Sequence, residues 1–199
     1  KEQVIFLAAM DEFLEMGIHG ARMQSIANRA GVNKALVHYY FRSKDQLYMK
    51  VLETIVLPFW KELNEKFEDL ASDDFEGAVR TMAQHVVDSA LAHPHSVILL
   101  SEFASGGQYI QNMEHVGEQA SFHTAKVLQY FNDLVRQEVI KPCNAVNLFV
   151  SILGMCWNIF LAEPFSTPLL REMGVERDER FYRDSVDLIV EMTTRGLSK

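Results

Sequence analysis

Apolar residues recur at helical spacing from Ile5 to Met192, and the strict alternation that marks a strand is nearly absent. Ile5, Ala9 and Phe13, with Phe6, Met10 and Leu14, form one apolar face of a first helix, and Gly17 is expected to stop it in a left-handed conformation. Short helices are expected at about 23–30 and 33–40, and a long amphipathic one from Lys44 through Phe67 that Pro58 should kink. A fifth helix starts near Asp73 and ends before His93-Pro94. A short apolar helix (97–104) and the Gly106-Gly107 break come next. A long helix from about 109 to 138 follows, then a nearly all-apolar one over 145–162. Pro164 and Pro168 flank an expected loop, and a final helix covers about 178–195. The expected fold is all-α, with about nine helices in all.

The second constraint is charge. The 199 residues carry 19 Lys and Arg against 27 Asp and Glu, a formal −8 that excludes a generic polycation coating nucleic acid. Residues 1–50 balance at +2 and residues 51–199 at −10. A weakly basic head on an acidic body points to a head that meets a polyanion. A 48% apolar content excludes wholesale disorder. Cys143 and Cys156 cannot build a disulfide scaffold, and they fit a reducing cytoplasm. Asp11, Glu12 and Glu15 interrupt the first apolar stretch, unlike a signal peptide. The chain opens on Lys1 rather than Met, so a few native N-terminal residues are expected to be missing. The 145–162 segment is short of the ~20 apolar residues a membrane span needs, which favours a buried helix and no membrane partner.

Residues 23–37 read Met-Gln-Ser-Ile-Ala-Asn-Arg-Ala-Gly-Val-Asn-Lys-Ala-Leu-Val, the pattern of a helix-turn-helix. Ala27 is small where the second helix of the pair must cross closely, and Gly31 supplies the positive φ of the turn. Ile26, Ala30, Val32 and Val37 seal the small core between the helices. Asn33 can cap the helix that follows. That helix leaves Lys34, Ala35, His38, Tyr39 and Tyr40 to meet phosphates or base edges. An ordinary αα-corner would show the same Ala, Gly and Val spacing.

The run Leu-Val-His-Tyr-Tyr-Phe-Arg-Ser-Lys-Asp-Gln-Leu over 36–47 follows Ile26-Ala27 and Ala30-Gly31-Val32, and Ala8, Ala9, Phe13 and Gly17 lie upstream. Over about residues 4–50 this resembles the TetR family of bacterial transcriptional repressors. The resemblance implies a three-helix DNA-binding head at 1–47, a six-helix effector-binding and dimerisation domain at 48–199, and a homodimer on a near-palindromic operator of double-stranded DNA. It also implies that Lys44 holds a phosphate, that Lys34 enters the major groove, and that Tyr39 and Tyr40 reach bases or backbone. His38 stands where the family has Tyr, and a neutral imidazole there can still donate one bond. Arg22 stands where the family prefers a capping Thr, and can bind phosphate instead. Gln24 completes the expected contact set, and Asn33 replaces a common Ser.

The 145–162 helix is apolar nearly all round, so one face should meet the core and another a partner copy. Phe149, Ile152 and Gly154 are the expected interface there, joined by Leu188, Ile189 and Met192 in a four-helix seam. Nine Met and thirteen Phe are generous for such a domain and suit a pocket for a small, mainly apolar molecule. Trp60, Met82, His85, Phe103, Met113 and Trp157 are its candidate lining, with His85 orienting one polar group of the effector; a filled core is the plainer reading. Filling the space at Trp60 would tilt the N-terminal half of the fourth helix, shift the recognition helices and release DNA. His93 and His95, with His85, His115 and His123 elsewhere, raise a metal sensor as an alternative. They lack a close acidic or Cys partner, so neither a metal nor a cofactor is expected. A small helical enzyme is the other alternative, but no nucleophile elbow, phosphate loop or zinc-hydrolase helix is present, and no catalytic residue is assigned.

Overall fold

The computed structural model describes residues 1–94, 97 and 114–199, the side chains of 114–123 excepted. The expected helix at 97–104 and the Gly106-Gly107 break therefore lie outside the described residues, Val97 apart. The described residues form nine helices and no strand beyond one isolated pairing of Ile140 with Ser198. The helices are α1 (Glu2–Gly20), α2 (Met23–Arg29), α3 (Lys34–Phe41), α4 (Lys44–Glu68), α5 (Phe75–Ala92), α6 (Glu114–Arg136), α7 (Ala145–Leu161), α8 (Glu163–Glu172) and α9 (Glu179–Leu197). Two compact units share the chain, one of residues 1–58 and 93–121, the other of 59–92 and 122–199.

In the first unit, α1 breaks at Gly17, whose φ of 63° and ψ of 176° belong to a region essentially only glycine visits. Ile5, Ala9 and Phe13 from α1, Ile26 and Ala27 from α2, and Val37 from α3 are fully buried together. The start of α4 joins them through Leu47, Tyr48, Val51 and Leu52, so the packing of the head continues past residue 47. The Phe13 and Tyr48 rings meet edge to face with centroids 5.1 Å apart. α4 remains helical through Pro58, where the two units divide.

In the second unit, α5 packs against both α7 and α9, which also touch each other. Phe75, Ala78, Val79, Met82, Ala83, Val86 and Val87 make α5 its central rod. Asp74 caps α5, its Oδ1 accepting the Gly77 amide at 2.8 Å. The Tyr130 hydroxyl holds the turn before α5, its one proton shared between the carbonyls of Ala71 and, more distantly, Asp74. Burial pushes the Cys156 thiol up to about 12, leaving it an apolar core residue.

One local expectation is corrected. The segment around Pro164 and Pro168 is helix α8, not loop. Pro164 sits in the first turn, where its missing N–H would have no partner anyway, so only Pro168 removes a helical bond. Among the described residues no single helix is long and apolar enough to cross a membrane. α7 and α8 reach that length together but bend by 63° between them.

Candidate nucleic-acid interface

The head is held by a clamp that no local pattern announces. Glu12 is buried on α1, and its carboxylate accepts the backbone N–H of Arg22 at 3.5 Å and Nη2 of Arg29 at 3.3 Å. Arg29 also grips Glu15 with both terminal nitrogens, at 3.0 and 2.8 Å, and this pairing raises its pKa further. A bidentate guanidinium fixes angle as well as distance. α2 is thereby set on α1, and α3 follows through a turn in which Gly31 has φ 66°.

The first turn of α3 is pinned as expected, with Asn33 Oδ1 accepting the Leu36 amide at 2.8 Å. Val37 points into the core, and the opposite side carries Lys34, Ala35, His38 and Tyr39, all exposed. Tyr39 is 74% exposed and meets half-buried Tyr40 edge to face at 5.2 Å. Arg22 is exposed and caps nothing with its side chain. Gln24 is exposed and bonds Asn28 on its own helix at 2.9 Å. Arg22 and Lys34 are the exposed cations of this set.

Lys44 is different. Its ammonium donates to the carbonyls of Ile18 at 2.7 Å and Ala21 at 3.3 Å, closing the end of α1, where the helix dipole favours a cation. Two of its three donors are engaged inside the head, so one is left for a phosphate. His38 is also anchored, Nδ1 lying 3.1 Å from the Arg42 carbonyl oxygen. Sequence reasoning missed two residues at the turn into α4. Arg42 is an exposed cation in a left-handed conformation of φ 55° at the end of α3. Ser43 accepts the Gln46 amide at 3.1 Å, and the Ser-x-x-Gln spacing of a capping box was its signal.

Four of the six effector candidates, Trp60, Met82, His85 and Trp157, lie among the described residues. Phe103 and Met113 lie outside the described residues. Met82 is fully buried in the core. His85 is buried with both ring nitrogens engaged by protein, Nε2 at 2.9 Å from the Phe59 carbonyl oxygen and Nδ1 at 3.2 Å from Lys66 Nζ. A carbonyl only accepts, so Nε2 carries the hydrogen and Nδ1 accepts from the ammonium. Burial, and then the charge of Lys66, hold its pKa below the usual imidazole value. No donor or acceptor on the ring remains to orient a ligand. Phe59 lies over His85 at 4.6 Å, Trp60 meets Phe59 at 4.9 Å, and Trp60 packs on Phe149 at 5.7 Å. Trp157 is half-buried. A groove of about 480 Å³ lies between α7 and α9, lined by Asn147, Ser151, Ile152, Met155, Met192 and Thr193 among others, and by none of the four described candidates.

The interface candidates divide in two. Phe149, Ile152 and Ile189 face the core of their own unit, and Ile152 has no exposed surface. Gly154 is exposed, and Leu188 and Met192 are 55% and 61% exposed. The outward apolar row of α7 is Val146 and Val150, the second 57% exposed. A helix apolar all round conceals which side is outward: of the three residues expected on α7, Phe149 and Ile152 are buried and Gly154 is exposed. Among the described residues no three His, Cys, Asp or Glu side chains converge as metal ligands. The side chains of His95, His115 and His123 lie outside the described ones.

Residues 5–51 match the family model of bacterial regulatory proteins of the tetR family. The HTH-type transcriptional regulator RutR of Escherichia coli K12 is 43% identical over 76 residues, 36% of this chain and 35% of RutR, so this chain matches about a third of that relative's length. The HTH-type transcriptional repressor SCO4008 of Streptomyces coelicolor is 29% identical over 167 residues, covering 80% of this chain and 78% of the repressor. The structure of the transcriptional regulator FadR from Bacillus subtilis, in complex with stearoyl-CoA, superimposes with a TM-score of 0.65 at 14% identity, covering 96% of this chain and 98% of that one. At that identity the likeness speaks for the fold.

Proposed function

We propose that this chain, whose residues 5–51 match the model of the tetR family of bacterial regulatory proteins, is a ligand-responsive transcriptional repressor, binding a near-palindromic operator as a homodimer and released by a mainly apolar small molecule. The observation that carries the reading is the outward side of α3. Lys34, Ala35, His38 and Tyr39 stand together on a helix fixed by the Asn33 cap, on a head locked by the Glu12–Arg29 clamp. Such a helix fits the major groove, with Arg22, Arg42 and the spare donor of Lys44 available to phosphates. DNA binding belongs to residues 1–47, and effector binding and dimerisation to 48–199.

Two copies would meet through Val146, Val150 and Gly154 of α7 and Leu188 and Met192 of α9, and the groove beside Met192 offers room for side chains of the partner copy. The aromatic-rich second unit supports an apolar effector, and so does the likeness in fold to a regulator holding stearoyl-CoA. The test is selection from random duplexes, followed by salt titration of what is recovered. A preferred near-palindrome whose affinity falls steeply with salt is expected, with half-sites about one helical turn, or a small multiple, apart. Absence of any salt-sensitive preference would refute the reading.

A further inference from the structure

The anchoring of His38 carries a consequence for how this head holds DNA. Its Nδ1 lies 3.1 Å from the Arg42 carbonyl oxygen, an atom that only accepts, so the ring hydrogen must sit on Nδ1. In the neutral ring Nε2 is then a bare lone pair. A phosphate oxygen is also an acceptor, so the two cannot bond. Adding a proton to Nε2 supplies the missing donor and a positive charge together, while the bond to Arg42 is kept. The side chain is exposed and shares the outward side of α3 with Lys34 and Tyr39, where a polyanion would lie.

We infer that His38 meets a DNA phosphate as an imidazolium, so that each head takes up one proton when it binds duplex. This rests on the DNA-binding reading above. On its own helix and the turn after it, the cations Lys34 and Arg42 stand one turn before and one turn after it. Tyr39 and Tyr40 follow it directly. On α2 and its cap are Arg29, neutralised by Glu12 and Glu15 of α1, and Arg22. At the start of α4 are Lys44, held by the Ile18 and Ala21 carbonyls, and Asp45; His19 lies at the end of α1. An arriving phosphate adds negative charge beside the ring and favours the imidazolium. Histidine is the side chain whose charge changes within the ordinary physiological range, so the uptake falls where it can be measured.

The experiment is fluorescence anisotropy with a labelled duplex recovered from the selection, and with one of random sequence, at about pH 8 and about pH 6 over a series of salt concentrations. Wild-type affinity is expected to rise as the pH falls, by at most about ten-fold per pH unit for each proton taken up. The slope of log affinity on log salt should steepen by roughly one for each His38 engaged. His38→Gln and His38→Asn should remove both effects; Asn retains a donor for the Arg42 carbonyl, which controls for loss of the anchor. His38→Arg should hold the steeper slope at both pH values. If the Gln and Asn variants keep the wild-type pH dependence, or the wild type binds equally at both pH values, this inference falls and the DNA-binding reading stands. If neither the wild type nor His38→Arg binds any duplex, both fall.

Discussion

The Lys44 ammonium lies 2.7 Å from the carbonyl oxygen of Ile18, 26 positions earlier in the chain. One side chain at the start of α4 therefore closes the end of α1, and its first duty is to the fold of the head. Lys44→Ala should destabilise the head by about 1–2 kcal/mol, since two charge-assisted hydrogen bonds to backbone carbonyls are lost. Lys34→Ala, on the exposed side of α3, should stay within about 0.5 kcal/mol of wild type while weakening DNA binding. Thermal unfolding followed by circular dichroism separates the two; equal melting curves for both variants would refute the capping role.

Gly77 sits in the first turn of α5, where alanine would ordinarily help a helix. A Cβ there would run into the Asp74 carboxylate that caps the helix through the Gly77 amide. Gly77→Ala should therefore cost about 1 kcal/mol, the value of a lost cap outweighing the gain in propensity. Asp74→Ala in the same background should then add little, because the cap is already displaced. Urea unfolding of the two single variants and the double variant measures this, and a more stable Gly77→Ala would contradict it.

His85 links stability to pH. Its folded pKa lies below the 6.5 of a free imidazole, chiefly because burial disfavours the charged ring. The unfolded chain thus binds a proton that the folded chain refuses. The contribution is complete above about pH 6.5 and is lost as the pH falls from there toward the lowered folded value. His85→Gln keeps a donor for the Phe59 carbonyl and removes the titration. Denaturant midpoints between about pH 7.5 and 5 should fall less steeply for the variant than for wild type. Parallel curves would show that His85 is not the group responsible.

If the proposed dimer forms through the outward apolar row of α7 and α9, Val150→Asp or Met192→Asp should leave a folded chain of 22.8 kDa, with the wild type expected at twice that mass. Ile152→Asp, at a site with no exposed surface, should instead unfold the second unit, because a carboxylate cannot be buried there unpaired. Analytical ultracentrifugation with circular dichroism distinguishes these outcomes. A wild type that is monomeric at micromolar concentration would refute the dimer.

Local chemistry made much of the head legible in the sequence. The Asn33 cap acts over three residues, and the left-handed turns at Gly17 and Gly31 follow from the absence of a Cβ. The helical period of Ile5, Ala9 and Phe13 named the buried side of α1 directly. The same period marked Lys34, Ala35, His38 and Tyr39 as the exposed row of α3, whereas Tyr40, expected with them, is half-buried against the core of the head. What depended on partners distant in the chain could not be read in this way. The carbonyls that hold Lys44 lie beyond two intervening helices, and the Phe59 and Lys66 groups that occupy His85 come from another helix. On α7 the apolar residues encircle the axis, so the period selects no side and only packing against α5 and α9 decides that Ile152 is core and Val150 is surface. Helix, cap and turn are set by interactions a few residues long, which a sequence carries intact. Which donor meets which acceptor, and which side of an apolar helix stays wet, is settled only when helices far apart in the chain come into contact.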